Sequence, residues 1–186
     1  MKIIVGITGA SGSRYALRLI EVLKEAGYEV HLVVTDNGWQ VLQYECNETK
    51  DSLQAKVDVL YDNDKMWSAI ASGSFKTSAM IVAPCSMKTV GCIANGISDN
   101  LLARAADVII KEGRQLILVP RETPFSAIHL ENMLKLSRLG VKIVPACPAF
   151  YHKPEKIDDL VDMLVGKICD VAGIECDIFP RWQGVI

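Results

Sequence analysis

The chain has 186 residues and a formal net charge of −2; half of its residues are hydrophobic but only 6% are aromatic. That length suits one domain around one core, able to bury roughly 70% of the surface its unfolded form exposes. The slightly acidic balance excludes a general nucleic-acid binder, which needs a basic face, and no apolar run approaches the about 20 residues of a membrane helix.

Residues 2–8 form a β-branched apolar run, broken by Gly9-Ala10-Ser11-Gly12. Its apolar lead is too short for a signal peptide. Residues 15–24 place Leu17, Ile20, Leu23 and Lys24 at helical spacing, with Gly27 as the stop. Residues 29–35 give a second strand, so this strand–helix–strand unit predicts two parallel strands. Residues 37–44 and 49–57 read as helices, and 58–65 as a polar connection around a short strand. Ser72-Gly73-Ser74 is a turn.

Residues 79–84 give a uniformly apolar third strand, followed by helical patterns over 86–93 and 100–111. Residues 115–120 and 141–145 are further strands. Between them, Ile128, Leu130, Met133, Leu134 and Leu136 suit a helix over 126–139, and a last helix spans 157–171. Without repeat, low-complexity stretch or linker, the alternation predicts a single α/β domain over 1–186. Its sheet is expected to be doubly wound and mostly parallel, with ligands beyond the carboxyl ends of the strands.

Four polar segments fall at those ends: Thr8-Gly9-Ala10-Ser11-Gly12, Thr35-Asp36, Pro84-Cys85-Ser86-Met87-Lys88-Thr89 and Pro120-Arg121-Glu122-Thr123-Pro124. Gly6, Gly9 and Gly12 are spaced G-x-x-G-x-x-G, which permits close backbone approach to a ligand at a helix N-terminus, or only a tight turn. The spacing is neither a dinucleotide fingerprint nor a Walker loop. Ser86 to Thr89 offers hydroxyls and N–H groups for a phosphate or ring carbonyl; the plain alternative is a Ser N-cap. Arg121 and Glu122 are a guanidinium and a carboxylate at a ligand-facing strand end, or an ion pair bracing the loop. Lys111, taken alone, is a solvated helix end.

The six cysteines form no Cys-x-x-Cys pair and have no histidines at zinc-ligand spacing. They read as reduced, mostly buried thiols of a cytoplasmic protein, with no metal site expected. His31 and His129 read as structural, and His152 is notable only for adjoining Tyr151.

Taken together, these segments resemble the blocks of UbiX-type flavin prenyltransferases. Further blocks are Ser72-Gly73-Ser74-Phe75, Arg104-Ala105-Ala106-Asp107-Val108, Lys111-Glu112, Ile128-His129-Leu130-Glu131-Asn132-Met133-Leu134, Pro148-Ala149-Phe150-Tyr151-His152 and Arg181-Trp182-Gln183-Gly184. The likeness runs in order through nearly the whole chain. It implies a flavodoxin-like or Rossmann-like subunit in a homododecamer, with residues 155–186 in subunit contacts. The implied substrates are FMN and dimethylallyl phosphate, and prenylated FMN is passed to a UbiD-type decarboxylase.

By resemblance, Gly9, Ala10, Ser11, Thr35, Ser86, Met87, Lys88, Thr89 and Arg121 fall on FMN-binding positions, and Glu45 and Arg104 on polar positions near the flavin. Tyr151 and Lys167 fall on positions for the allylic phosphate, with Lys111, Arg121 and Glu122 completing that site. Lys167 stands where arginine is frequent and keeps the charge without the bidentate fork. Thr35 stands for serine, and Ser13 for alanine, a change expected to be harmless.

The implied chemistry breaks a carbon–oxygen bond to phosphate. Lys111, Arg121, Lys167 and Tyr151 are expected to stabilise the leaving group, Trp182 or Trp67 to face the allyl cation, and Ser11, Glu45 or Glu122 to move a proton. For Trp67, packing or subunit contact is the preferred expectation.

Three other classes compete. A flavin-dependent cysteine decarboxylase needs a histidine after the first flavin loop, where this chain has Gly12-Ser13-Arg14-Tyr15. A NAD dehydrogenase, with Asp36 as ribose partner, has the wrong glycine spacing. A non-catalytic flavin carrier binds FMN without prenyl transfer.

Overall fold

A computed structural model describes residues 1–184. The aliphatic runs become six strands: β1 (Lys2–Ile7), β2 (Glu29–Val34), β3 (Val59–Asp62), β4 (Ala79–Cys85), β5 (Gln115–Pro120) and β6 (Lys142–Ile143). Seven helices connect or follow them: α1 (Ser13–Glu25), α2 (Asp36–Cys46), α3 (Lys50–Gln54), α4 (Met87–Ala94), α5 (Leu101–Lys111), α6 (Ala127–Arg138) and α7 (Ile157–Ala172). The sheet order is β3-β2-β1-β4-β5-β6, and every pair is parallel rather than mostly so. The chain winds outward from β1 and then from β4 in the opposite direction. The topological switch point therefore lies between those two strands, where open sheets of this kind form their crevice.

Alternate residues of each strand feed two cores. Ile3, Val5 and Ile7 meet α1 and α7 on one face, whereas Ile4, Met80 and Val82 meet α4 and α5 on the other. Burial on both faces is why the strands are continuously aliphatic. No helix among the described residues is long and apolar enough to cross a membrane.

Several details differ from the sequence pattern. The core face of α1 is Ala16, Leu19, Ile20, Val22 and Leu23. Leu17 is only half-buried, and Lys24 points out to pair with Asp58 at 2.7 Å. The α3 helix is shorter than residues 49–57. Strand β6 has two regular residues rather than five, although Val144 and Ala146 still donate to carbonyls of β5. Pro145 between them has no N–H, which confines it to such an edge. On α6 only Met133 and Leu136 are buried; Ile128, Leu130 and Leu134 face outward. Trp67 is 82% exposed, so packing within its own protomer does not explain it. Only Cys85 and Cys169 of the six free cysteines are buried.

The segment after α7 leaves through Gly173, whose φ of 70° suits a glycine stop. It turns back along the same helix: Arg181 forks onto both oxygens of Asp170 at 2.9 Å, and Phe179 lies against Gly166. A Cβ on Gly166 would meet Phe179 ring carbons at 2.2 and 2.4 Å. Gly166→Ala is therefore expected to lower stability by about 1–3 kcal/mol in denaturant titrations, although alanine is the better helix former. An equal or higher stability would show that the segment does not dock there.

Candidate active site

The crevice begins with a hydrogen bond across the switch point. The fully buried Thr8 hydroxyl donates to the Pro84 carbonyl at 2.8 Å and accepts from the Ser86 N–H at 2.7 Å. It ties the loop after β1 to the loop after β4. Gly9 follows, and a Cβ there would lie 2.5 Å from Cβ of Asn37. The glycine is required so that the first turn of α2 can approach the first loop.

Three helices then open their N-termini into one cleft of about 360 Å³. Thr35 caps α2, accepting from the Gly38 N–H at 3.1 Å. Ser86 caps α4, accepting from the Thr89 N–H at 3.3 Å, and its hydroxyl lies 3.1 Å from that of Thr89. Asn100 caps α5, accepting from the Ala103 N–H at 2.9 Å. Converging N–H groups and helix dipoles favour an anion. Lys88 is the cation of the lining, while Asp36 and Asp99 supply carboxylates suited to hydroxyl donors. Ala10 and Met87 are buried, Met87 in the core beneath α4, and neither is among the residues that line the cleft.

The N-terminus of α1 is used differently. Gly12, at φ 118°, precedes it, and the Glu45 carboxylate accepts from the N–H groups of Gly12 at 3.0 Å and Ser13 at 2.8 Å. The anion site expected there is thus filled by the chain's own carboxylate. Burial pushes the Glu45 carboxyl up, but the Ser11 hydroxyl and the Gly12 and Ser13 donors outweigh it and hold the group below the usual carboxylate range. Arg121 reaches back from the end of β5, its Nε donating to the Ser11 carbonyl at 3.1 Å. Glu122 turns the other way and accepts from the Thr123 N–H at 3.0 Å, so the two do not form the bracing ion pair. Ser11, Glu45 and Arg121 are one connected group.

The remaining expected residues divide. Tyr151, in the loop after β6, meets neighbouring His152 at 5.6 Å between ring centroids and, edge-on at 5.9 Å, Trp182 of the segment after α7. Arg104 lies partway along α5, donating to the Ala71 carbonyl at 3.3 Å and pairing with Asp107 at 2.8 Å, not facing the cleft. Lys111 ends α5 and pairs with Glu112 at 2.7 Å beside Gly73, at the amino edge of the sheet. Lys167 is exposed two-thirds of the way along α7, toward the same edge. Lys111 and Lys167 therefore lie away from the strand end that carries Arg121 within one protomer, and Tyr151 packs with His152 and Trp182. Of the histidines, His31 is buried between Tyr61 and Glu29, and His129 completes the capping box of α6 with Ser126.

The Flavoprotein family profile matches residues 1–169. A flavin prenyltransferase UbiX from Halalkalibacterium halodurans is 50% identical over 188 residues, covering 96% of this chain and 91% of that protein. The UbiX of Methanocaldococcus jannaschii is 48% identical over 185 residues and covers both chains fully. The chain belongs to the UbiX family of flavin prenyltransferases. A UbiX crystal structure in complex with FMN and dimethylallyl pyrophosphate superposes with a TM-score of 0.97 at 40% identity, over 100% of this chain and 98% of that one. A dodecameric FMN-dependent UbiX-like decarboxylase from Escherichia coli gives 0.96 at 46% identity, over 99% and 100%. An FMN-dependent cysteine decarboxylase, at 22% identity and a TM-score of 0.63, shares the fold alone.

Asn37, Asn63, Asp99, Asn100 and Cys92 also line this UbiX-family cleft and were not singled out in the sequence. Asp99-Asn100 ahead of a helical pattern is an N-cap signal that would have flagged Asn100. Asn63 has no such signal; it arrives because its side-chain and main-chain oxygens accept from the first N–H groups of α5.

Glu45 binds its proton less tightly in the folded than in the unfolded chain. Its contribution is therefore fully present above its ordinary value of 4.5 and is lost as pH falls through the depressed folded value. Glu45→Gln is expected to lower stability at pH 7 by about 0.3–1 kcal/mol and to converge with the parent on acidification. Urea midpoints that stay parallel down to acid pH would remove the ionic cap.

Proposed function

We propose that this chain transfers a dimethylallyl group from dimethylallyl phosphate to reduced FMN, releasing inorganic phosphate and prenylated FMN. The observation that carries this reading is the joining of a three-helix anion cleft to the Ser11–Glu45–Arg121 group at one switch point, in a chain of the UbiX family. The donor set of the cleft fits FMN. Thr35, Ser86, Lys88 and Thr89 would hold the phosphate and ring-edge acceptors, with Gly9 beside them; Ala10 and Met87, buried and outside the lining, would contribute only through their backbone. Bound in its reduced form, FMN supplies the nucleophile.

The chain's residues act on the allylic donor. Its carbon–oxygen bond breaks and the electron pair leaves on phosphate, which Arg121 and the Tyr151 hydroxyl stabilise together with Lys111 and Lys167. Those two lysines enter from neighbouring copies, because their own protomer carries them toward the other end of the sheet, whereas Arg104 stays in the first turns of α5, turned from its own cleft toward Ala71 and Asp107. Trp182 presents a π face beside Tyr151 to the cationic fragment. Ser11, Glu45 and Glu122 are the groups that hold or move the flavin proton, with the departing phosphate as a further acceptor. The assembly is a homododecamer, supported by the E. coli relative and by the outward apolar residues Ile128, Leu130 and Leu134 on α6; residues 155–186 contribute to its contacts, 185 and 186 lying outside the described residues. The product serves a UbiD-type decarboxylase. The exposed free thiol of Cys147 suits a reducing cytoplasm.

Anaerobic incubation with reduced FMN and dimethylallyl phosphate is expected to raise the flavin mass by one five-carbon unit. Bound flavin of unchanged mass would leave a carrier instead. Subunits carrying Ser11→Ala or Lys111→Ala are each expected to lose about 10²-fold in turnover when assembled alone. Co-assembled, they should recover part of it, since some shared sites then hold both wild-type residues. No recovery would place the whole site in one protomer.

A further inference from the structure

The hydroxyl of Ser13 has a use that neither the fold nor the cleft requires. Ser13 opens α1 and is fully buried, yet its Oγ has no hydrogen-bond partner. A buried hydroxyl left unpaired is costly, and native structures rarely retain one without a reason. Solvent does not reach this residue within the protomer, so neither a bound flavin nor a neighbouring copy is placed to satisfy it. The acceptor at hand is Glu45, whose Oε2 already lies 2.8 Å from the backbone nitrogen of Ser13. A carboxylate has lone pairs beyond those used by the two amides, so Glu45 can accept from the Ser13 hydroxyl as well.

We propose that Ser13 is a positioning residue for Glu45: its buried hydroxyl donates to the Glu45 carboxylate and, with the amides of Gly12 and Ser13, holds it against the loop that carries Ser11. The role rests on the reading above that Glu45 takes part in proton transfer. Other charged and titratable groups face Glu45 across a groove of about 500 Å³: Arg14, Arg18 and Glu21 from α1, Cys46 from α2, and Asp158 and Asp162 from α7. The two arginines are engaged there, Arg14 with Asp158 at 2.5 Å and Arg18 with Asp162 at 2.6 Å. Neutral donors of the first loop and α1, rather than those cations, thus set the environment of Glu45. The serine expected to be harmless at this position becomes a working part of the site.

The test is an isotope-edited infrared titration of the intact assembly, with the Glu45 carboxylate band identified by its loss in Glu45→Gln. In Ser13→Ala the Glu45 midpoint is expected to move to higher pH. Ser13→Cys, which keeps a side chain of similar size but donates weakly, should fall between the two and remains informative if the alanine variant folds poorly. The acid limb of the prenyl-transfer pH profile should move in the same direction. An unchanged Glu45 midpoint in both variants overturns the proposal. A shifted midpoint with an unmoved acid limb upholds the positioning role and instead removes Glu45 from proton transfer.

Discussion

The hydroxyl of Thr8 is the point from which the rest of the site is measured. Buried at the switch point, it bonds both the carbonyl of Pro84 and the N–H of Ser86, joining strands that the chain winds away from in opposite directions. Parallel ladders hold β1 and β4 side by side only as far as their regular pairing extends. Beyond it the two loops would be free to splay. The Thr8 bridge instead delivers Gly9 and Ser86 to adjacent positions, and Gly9 admits the first turn of α2 because it has no side chain.

A division of electrostatic labour follows. Four helices, α1, α2, α4 and α5, begin near this edge, each with unsatisfied N–H groups and a partial positive charge. The chain closes one with its own acid, Glu45 over α1, and leaves three open on the cleft. The closed terminus gains a carboxylate next to Ser11, and the open ones form a site that prefers an oxygen-rich anion. Arg121 links the two regions by donating to the Ser11 carbonyl.

The same topology keeps Lys111 and Lys167 away from the cleft of their own protomer. A crossover helix runs antiparallel to the strands it joins, so α5 begins at the cleft with Asn100 and ends at the opposite edge with Lys111. α7 likewise begins near the carboxyl ends, where Asp158 meets Arg14, and carries Lys167 away from them. Cations on the far portions of such helices serve a phosphate only where another copy presents its own strand ends to them. The outward residues of α6 and the exposed Trp67 are surfaces of the kind such copies would cover.

Much of this was legible in the chain itself. Continuous aliphatic runs mark strands buried on both faces, and their alternation with helical spacing requires a parallel sheet. The polar segments at strand ends then fall at the crevice by topology alone. Local chemistry was also readable: Ser86 and Thr35 are helix caps, and Gly27 is a helix stop. What the sequence could not show was which of those polar groups are spent on the chain itself. Glu45, 33 residues beyond Gly12, takes the helix terminus expected for a ligand; Asn63 crosses to α5; Arg121 and Glu122 part company; Lys111 ends at the far edge. Each outcome depends on distance and direction between segments remote in sequence, and hydrogen bonds and ion pairs are satisfied at about 3 Å regardless of separation along the chain. Periodicity along one dimension determines the elements and their order, whereas only packing in three decides which donor meets which acceptor.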